Sequence, residues 1–228
     1  MIKRELYMNR IRPFIGGELI KVMTGIRRSG KSVMLELIKE ELAEAGVAPS
    51  QMISINFEDM RYSHLQTATA LHDEIIKRAE GIEGKAYLFF DEIQEVEGWE
   101  KCVNSLRVAL DCDIYITGSN AKLLSGELAT YIGGRYVEFV IYPFSFAEFL
   151  ELYHTIAPSD SIQQCFQKYL LAGGMPYLAN LRYEEEPSRQ YLTDLFNSVQ
   201  LKDIVKRNKI RDIDLLAVSY THLRAHET

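Results

Sequence analysis

The eight residues GIRRSGKS, Gly25 to Ser32, constrain this chain more than any other stretch. They match G-x-x-x-x-G-K-[S/T] in full. A hydrophobic run, LIKVMT (19–24), precedes them. After them, Met34, Leu37, Ile38, Leu42 and Ala45 fall at helical spacing on one face. A strand, a glycine-bearing turn and a helix in that order make a cradle for a polyphosphate. Gly25 and Gly30 supply backbone freedom, so that the N–H groups of Ile26, Arg27, Arg28 and Ser29 can wrap an anion. The helix opening at Lys31 directs its dipole and free N–H groups at the same point. Lys31 places a cation on the β- and γ-phosphates, and the Ser32 hydroxyl is a ligand for Mg²⁺. The expected ligands are ATP and Mg²⁺. A glycine-rich turn with a chance lysine would explain neither flank. Arg27 and Arg28 can touch nucleotide or remain solvated, and neither is given a catalytic role.

A second element completes the chemistry. YLFFDE, Tyr87 to Glu92, is an apolar strand ending in two carboxylates. Asp91, at the tip of a buried strand, can reach the Mg²⁺ shell through water. Glu92 follows where the chain leaves the strand, and there it can polarise the attacking water. A strand intervenes between the glycine-rich loop and this pair, which fits ATP hydrolysis better than a simple nucleotide kinase. ITGSN (116–120) ends another strand, so Ser119 or Asn120 can sense the γ-phosphate or, equally, cap a helix. Arg135, in GGRY, is a candidate arginine finger acting in its own subunit or a neighbour's; the alternative is a structural salt bridge.

Apolar runs alternate with helical patterns, which predicts an α/β fold with a parallel sheet flanked by helices. Strands are expected at 19–24, 52–57, 86–91, 113–118 and 135–142. Ser63 with Gln66, and Ser145 with Glu148, have capping-box spacing at helix starts. After Pro143 the pattern is helical only, interrupted at Gly173, Gly174 and Pro176. The expected organisation is an α/β nucleotide domain over 1–143 and a smaller helical, lid-like subdomain over 144–200. Residues 201–217 then begin a further, truncated domain.

The chain resembles a prokaryotic family of AAA-type P-loop ATPases with a C-terminal domain of unknown function. The likeness rests on IKVMTGIRRSGKS, FFDEIQEVEGWEKCVNSLR, ITGSNAKLLSGELATYIGGRY, IYPFSFAEF, YLLAGGMPY and LKDIVKRNKIRD. It implies an ATPase core, a small helical subdomain, then a winged-helix-like segment and a nuclease-like fold beginning near residue 200. By that resemblance Lys31, Ser32, Asp91 and Glu92 carry nucleotide, Mg²⁺ and catalysis, with Ser119, Asn120 and Arg135 in support. The last eleven residues, VSYTHLRAHET, resemble the in-frame translation of a sequencing-library adapter and are set aside as a non-native tail.

Composition narrows the remaining choices. The net charge of −6 argues against a blanket nucleic-acid binder, although Lys202, Lys206, Arg207, Lys209 and Arg211 form a local basic cluster. That cluster can meet phosphate backbone or simply solvate a helix face. No apolar run approaches the roughly 20 residues of a membrane span. Cys102, Cys112 and Cys165 form no CxxC pair and read as reduced, buried thiols of a cytoplasmic protein. His64, His72 and His154 lack metal-ligand spacing, and Trp99 fills the core. Two functions remain: an ATP-hydrolysing switch, and a nucleotide-sensing recruitment module with negligible turnover. Either can be a homo-oligomer, or reach a protein or DNA partner through the truncated C-terminal part. A small-molecule phosphotransferase fits less well, because the segment after Pro143 is aromatic and leucine-rich rather than an arginine-rich lid.

Overall fold

The computed structural model describes residues 2–118 and 132–199. The chain divides into two compact units, Met1–Tyr177 and Leu178–Thr228. In the first unit five parallel strands form one sheet: β1 (Ile20–Thr24), β2 (Met52–Asn56), β3 (Ala86–Asp91), β4 (Cys112–Thr117) and β5 (Tyr136–Val140). Their spatial order is β2-β3-β4-β1-β5. Burial follows that order. Every residue of the inner strands β1 and β4 is buried, whereas β2 and β5 are buried only in part. An inner strand covered on both faces needs a continuous apolar run, and β3 has one in AYLFF.

Side chains alternate across the sheet with period two, so the strands feed two separate cores. Val22, Leu88, Phe90, Ile114 and Ile116 face one side. There they meet α3 (Ala68–Ala79) and α4 (Trp99–Ala109) through Leu71, Ile75, Trp99, Val103 and Leu106. Met23, Phe89, Tyr115 and Phe139 face the other side. They pack on α1 (Glu5–Ile11) and α2 (Lys31–Glu44) through Met8, Ile11, Met34, Ile38 and Leu42. Each fully buried aliphatic or aromatic side chain contributes about 1.5–3 kcal/mol of transfer free energy. Cys102, Cys112 and Cys165 are buried free thiols. Burial pushes the Cys102 thiol up to about 12, so it behaves as a small hydrophobe.

A charged pair is buried within the sheet. Lys21 and Asp113, on adjacent strands, form an ion pair with no exposed side-chain surface. Desolvation lowers the Lys21 pKa, against the attraction of Asp113. Further bonds satisfy the pair: Gly16 N–H donates to Asp113 Oδ2 at 2.6 Å, Tyr115 O–H donates to the same oxygen at 2.7 Å, and Lys21 Nζ donates to Gly17 O at 3.1 Å.

The expected capping box at Ser145 and Glu148 forms, with Glu148 accepting from Ser145 N–H at 2.8 Å, and opens α5 (Phe146–Tyr153). Phe146, Phe149 and Tyr153 stack along α5, and Phe166 and Tyr169 of α6 (Ile162–Ala172) join them. Phe144 N–H donates to Gly174 O at 2.7 Å, tying the end of α6 to the start of α5. The other expected box is corrected. Ser63 lies inside a 3₁₀ turn, Met60–Leu65, and the next helix is capped by Thr67, whose hydroxyl accepts from Ala70 N–H at 3.3 Å. Spacing alone could not distinguish a cap from a short turn running into the true cap. The second unit contains α7 (Glu185–Val199), with Leu178 and Tyr183 buried. Among the described residues no helix is long and apolar enough to cross a membrane.

Candidate functional site

β1 ends at Thr24 and the chain turns at once through Gly25. Gly25 has φ +145°, and a Cβ there would sit 2.2 Å from the carbonyl oxygen of Ile141, a backbone atom. The turn therefore requires a residue without a side chain. Arg28 adopts the left-handed region at φ 62°, and Gly30, at φ +100°, stands before the first residue of α2. The alternation of backbone hands curls the peptide groups into a concave loop ahead of the helix N-terminus, a geometry suited to anions.

Lys31 opens α2 yet its side chain is only 4% exposed. Its ammonium donates to Gly25 O and Ile26 O, each at 3.3 Å, so it arches back over the loop. The same nitrogen lies 3.9 Å from Glu92 Oε1. The Glu92 carboxylate therefore stands beside the lysine of the loop. This juxtaposition is a product of topology. β3 is not a neighbour of β1, and β4 separates them. In a parallel sheet all C-terminal strand ends share one edge, so the loop after β1 and the carboxylates after β3 open on the same side.

Thr117, at the end of the intervening β4, holds the pair in place. Its hydroxyl donates to Asp91 Oδ1 and accepts from Glu92 N–H at 3.0 Å. Asn56, at the end of β2, donates to Asp91 Oδ2 at 3.2 Å. Glu92 has φ 55°, unusual for a side-chain-bearing residue, and Gln94 Nε2 donates to its Oε2 at 2.5 Å. Such backbone conformations cost on the order of 1–3 kcal/mol and persist where surrounding contacts enforce them. Thr117, Asn56 and Gln94 were not singled out by sequence reasoning. The available signal was position: each ends or follows a strand on the edge that carries the loop.

The residues present fit a nucleotide and a metal. Two loop atoms, Arg27 Nε and Ser29 Oγ, are buried without a hydrogen-bond partner among the described residues. Buried unmet donors cost about 1–3 kcal/mol each, and phosphate oxygens are acceptors for both. Asp91 accepts one hydrogen bond on each oxygen, which leaves lone pairs for a metal-bound water. Ser32 is exposed on the first turn of α2.

Arg135 lies away from the loop. Arg135 immediately precedes β5, and its Nη1 donates to Asn104 Oδ1 at 3.3 Å. Because Tyr136 is in register with Ile20 and Val140 with Thr24, Arg135 stands at the opposite end of the sheet from the loop. That is about 16 Å of strand, so the structure does not bring it to its own chain's Lys31. Ser119 and Asn120 lie outside the described residues, as does the basic cluster from Lys202 to Arg211. Among the described residues no group of three or more His, Cys, Asp or Glu could hold a metal on its own.

A strand–loop–helix phosphate cradle, with acidic residues presented from a strand one place removed in a parallel sheet, defines a P-loop nucleotide-binding domain. Comparison with known proteins narrows the class: residues 18–150 match the family model of the AAA domain. The chain belongs to that family. It is 41% identical over 217 residues to an uncharacterized protein of Haemophilus influenzae, covering 95% of this chain and 54% of the relative. It is 34% identical over 208 residues to the uncharacterized protein MJ1544 of Methanocaldococcus jannaschii, covering 87% and 45%. The chain thus spans about half the length of these relatives. Among solved structures, a point mutant of Thermotoga maritima RuvB matches with TM-score 0.52 at 13% identity, over 90% of this chain and 70% of that one. Aeropyrum pernix ORC1, solved in complex with DNA, matches with TM-score 0.50 at 17% identity, over 69% and 50%. At these identities the likeness concerns the fold.

Proposed function

We propose that this chain is an ATPase that hydrolyses ATP with Mg²⁺ to drive or time a conformational switch acting on a macromolecular partner. The observation that carries the reading is the approach of Lys31 to Glu92, 3.9 Å apart across the loop. In this reading the amides of Gly25 to Ser32 and the start of α2 bind the phosphates, with Lys31 neutralising the β- and γ-oxygens. Ser32 and Asp91 would hold Mg²⁺, Asp91 through water; the ion supplies charge neutralisation of the phosphates. Glu92 orients a water and takes its proton as the water oxygen bonds to the γ-phosphorus. The bond from that phosphorus to the β–γ bridging oxygen breaks, and ADP and phosphate leave. Thr117 and Gln94 keep the Glu92 carboxylate aimed. Ser119 and Asn120, which follow β4 in the sequence, are assigned to sensing the γ-phosphate. Arg135, at the far end of the sheet from its own loop, is assigned to a second copy's site, which makes a homo-oligomer part of the proposal.

The division of labour we propose is an ATPase core over 1–143 and a lid-like helical part over 144–200. The partner, protein or DNA, is met through the portion present in the longer relatives. The buried free thiols favour a cytoplasmic setting. The test is Mg·ATP binding and single-turnover hydrolysis, with and without DNA, by the chain and by two variants. Lys31→Ala should abolish nucleotide binding. Glu92→Gln should bind normally and lose about 10²–10⁴-fold in turnover. Normal turnover in Glu92→Gln refutes the catalytic assignment. Binding without turnover in the wild type would instead make the chain a nucleotide-sensing module.

A further inference from the structure

Arg4 lies in the segment before α1, outside the strand–loop–helix core, yet its side chain is 1% exposed. Withdrawing a guanidinium from water is costly unless its donors find partners. Here they do. Nε donates to Glu148 Oε1 at 2.8 Å, and Nη2 donates to Glu148 Oε2 at 3.4 Å and to Tyr142 O at 2.8 Å. Nη1 donates to Ser29 O, within the phosphate loop, at 3.0 Å. The rings of Tyr7 and Phe144 lie 4.6 and 5.2 Å from the guanidinium carbon. One side chain thus joins the phosphate loop, the segment leaving β5, and the first turn of α5.

The contact with Ser29 has a geometric consequence. A trans peptide is planar, so the carbonyl of one residue and the N–H of the next point in opposite directions. Holding Ser29 C=O toward Arg4 therefore directs Gly30 N–H away from Arg4, and Gly30 is the residue before the helix that receives the phosphates. Glu148, the other anchor, is also the third residue of α5 and accepts from Ser145 N–H at 2.8 Å and Ser145 O–H at 3.0 Å. Displacing α5 therefore displaces the carboxylate that holds Arg4, and with it the restraint on Ser29.

We propose that Arg4 is a positioning residue for the phosphate loop, and that its ion pair with Glu148 couples nucleotide affinity to the seating of α5. The proposal rests on nucleotide binding at Gly25–Ser32 and adds to it a regulatory linkage. A helix movement that breaks the pair weakens nucleotide binding, and bound nucleotide strengthens the seating of α5 by the same factor.

Two near-isosteric variants of the full chain test this. Arg4→Lys keeps the charge but cannot hold Ser29, Tyr142 and Glu148 together, because it lacks the planar fork. Glu148→Gln removes the charge while glutamine still closes the capping box. Each should weaken binding of Mg²⁺ with a fluorescent ribose-labelled ATP by roughly tenfold, the scale of one charge-assisted hydrogen bond. The double variant should bind no worse than the weaker single, since both remove one linkage. Hydrogen exchange should quicken across residues 25–34 in both variants without nucleotide. Nucleotide should slow exchange in 146–153 of the wild type only. Wild-type affinity in both variants, or a lowered melting temperature with affinity unchanged below it, overturns the coupling and leaves the ATPase reading standing. A wild-type chain that binds no nucleotide removes both.

Discussion

Alanine at position 25 is the sharpest test of how the loop is built. The added methyl would lie 2.2 Å from Ile141 O, at a backbone φ of +145°. Ordinary contact is about 3.5 Å, so loop and strand must separate by more than 1 Å. Ile141 cannot yield freely, because its N–H donates to Thr24 O at 2.7 Å and so fastens the exit of β5 to the end of β1. The loop must move instead, and it carries the amides assigned to the phosphates. A misplacement of about 1 Å in a binding constellation costs on the order of 10²-fold. Gly30→Ala offers the contrast. It too has positive φ, but its new methyl meets only Arg4 Nη1 at 3.4 Å, ordinary contact with a side chain. Its cost should stay near the backbone penalty alone, about 1–2 kcal/mol or roughly tenfold. Gly46→Ala, with φ +91° and nothing within 4 Å, should lower stability and leave affinity unchanged. Titration with Mg²⁺ and labelled ATP, alongside thermal melts, measures all three. Equal losses at 25 and 30, or normal affinity in Gly25→Ala, would refute the argument from close approach.

Three further outcomes are expected. Thr117→Val leaves the Glu92 amide without its acceptor and Asp91 Oδ1 without its donor, so it should cost about 1–3 kcal/mol and lower turnover more than ATP affinity, measured by urea unfolding and single-turnover kinetics. Asp113→Ala strands the Lys21 charge inside the sheet and should destabilise the chain by about 3–5 kcal/mol in urea, with no direct effect on the distant phosphate loop. Acid should act through Glu148: burial raises its pKa, but the hydrogen bonds from Arg4 and Ser145 outweigh that and leave it below 4.5. The carboxyl then binds its proton less readily when folded than when unfolded. Its stabilisation is full above about pH 4.5 and is lost as pH falls through the lowered value, so Glu148→Gln should flatten that part of the pH–stability curve.

How much could be read without coordinates depended on the range of the interaction involved. The five strands and their buried inner members follow from local apolar patterning. Strand ends differ by a residue or two, as at β5, where the paired segment stops at Val140 rather than Tyr142. The Ser145 cap is local and was readable; the Ser63 cap was not, because the same spacing serves a 3₁₀ turn as well as a helix start. Gly25 was assigned to the loop for its freedom, but the reason it must lack a side chain is a carbonyl 116 positions away, at Ile141.

The sequence by itself determined the phosphate loop and the acidic strand end, because both are contiguous runs whose chemistry is written in residue type and spacing. Only the tertiary structure decided what surrounds them. The order β2-β3-β4-β1-β5 puts Thr117 between loop and carboxylates, sends Arg135 to the far end of the sheet, and draws Arg4 under Ser29 to meet Glu148. Those contacts join residues 25 to 144 positions apart, and side chains so separated meet only when the whole chain is packed.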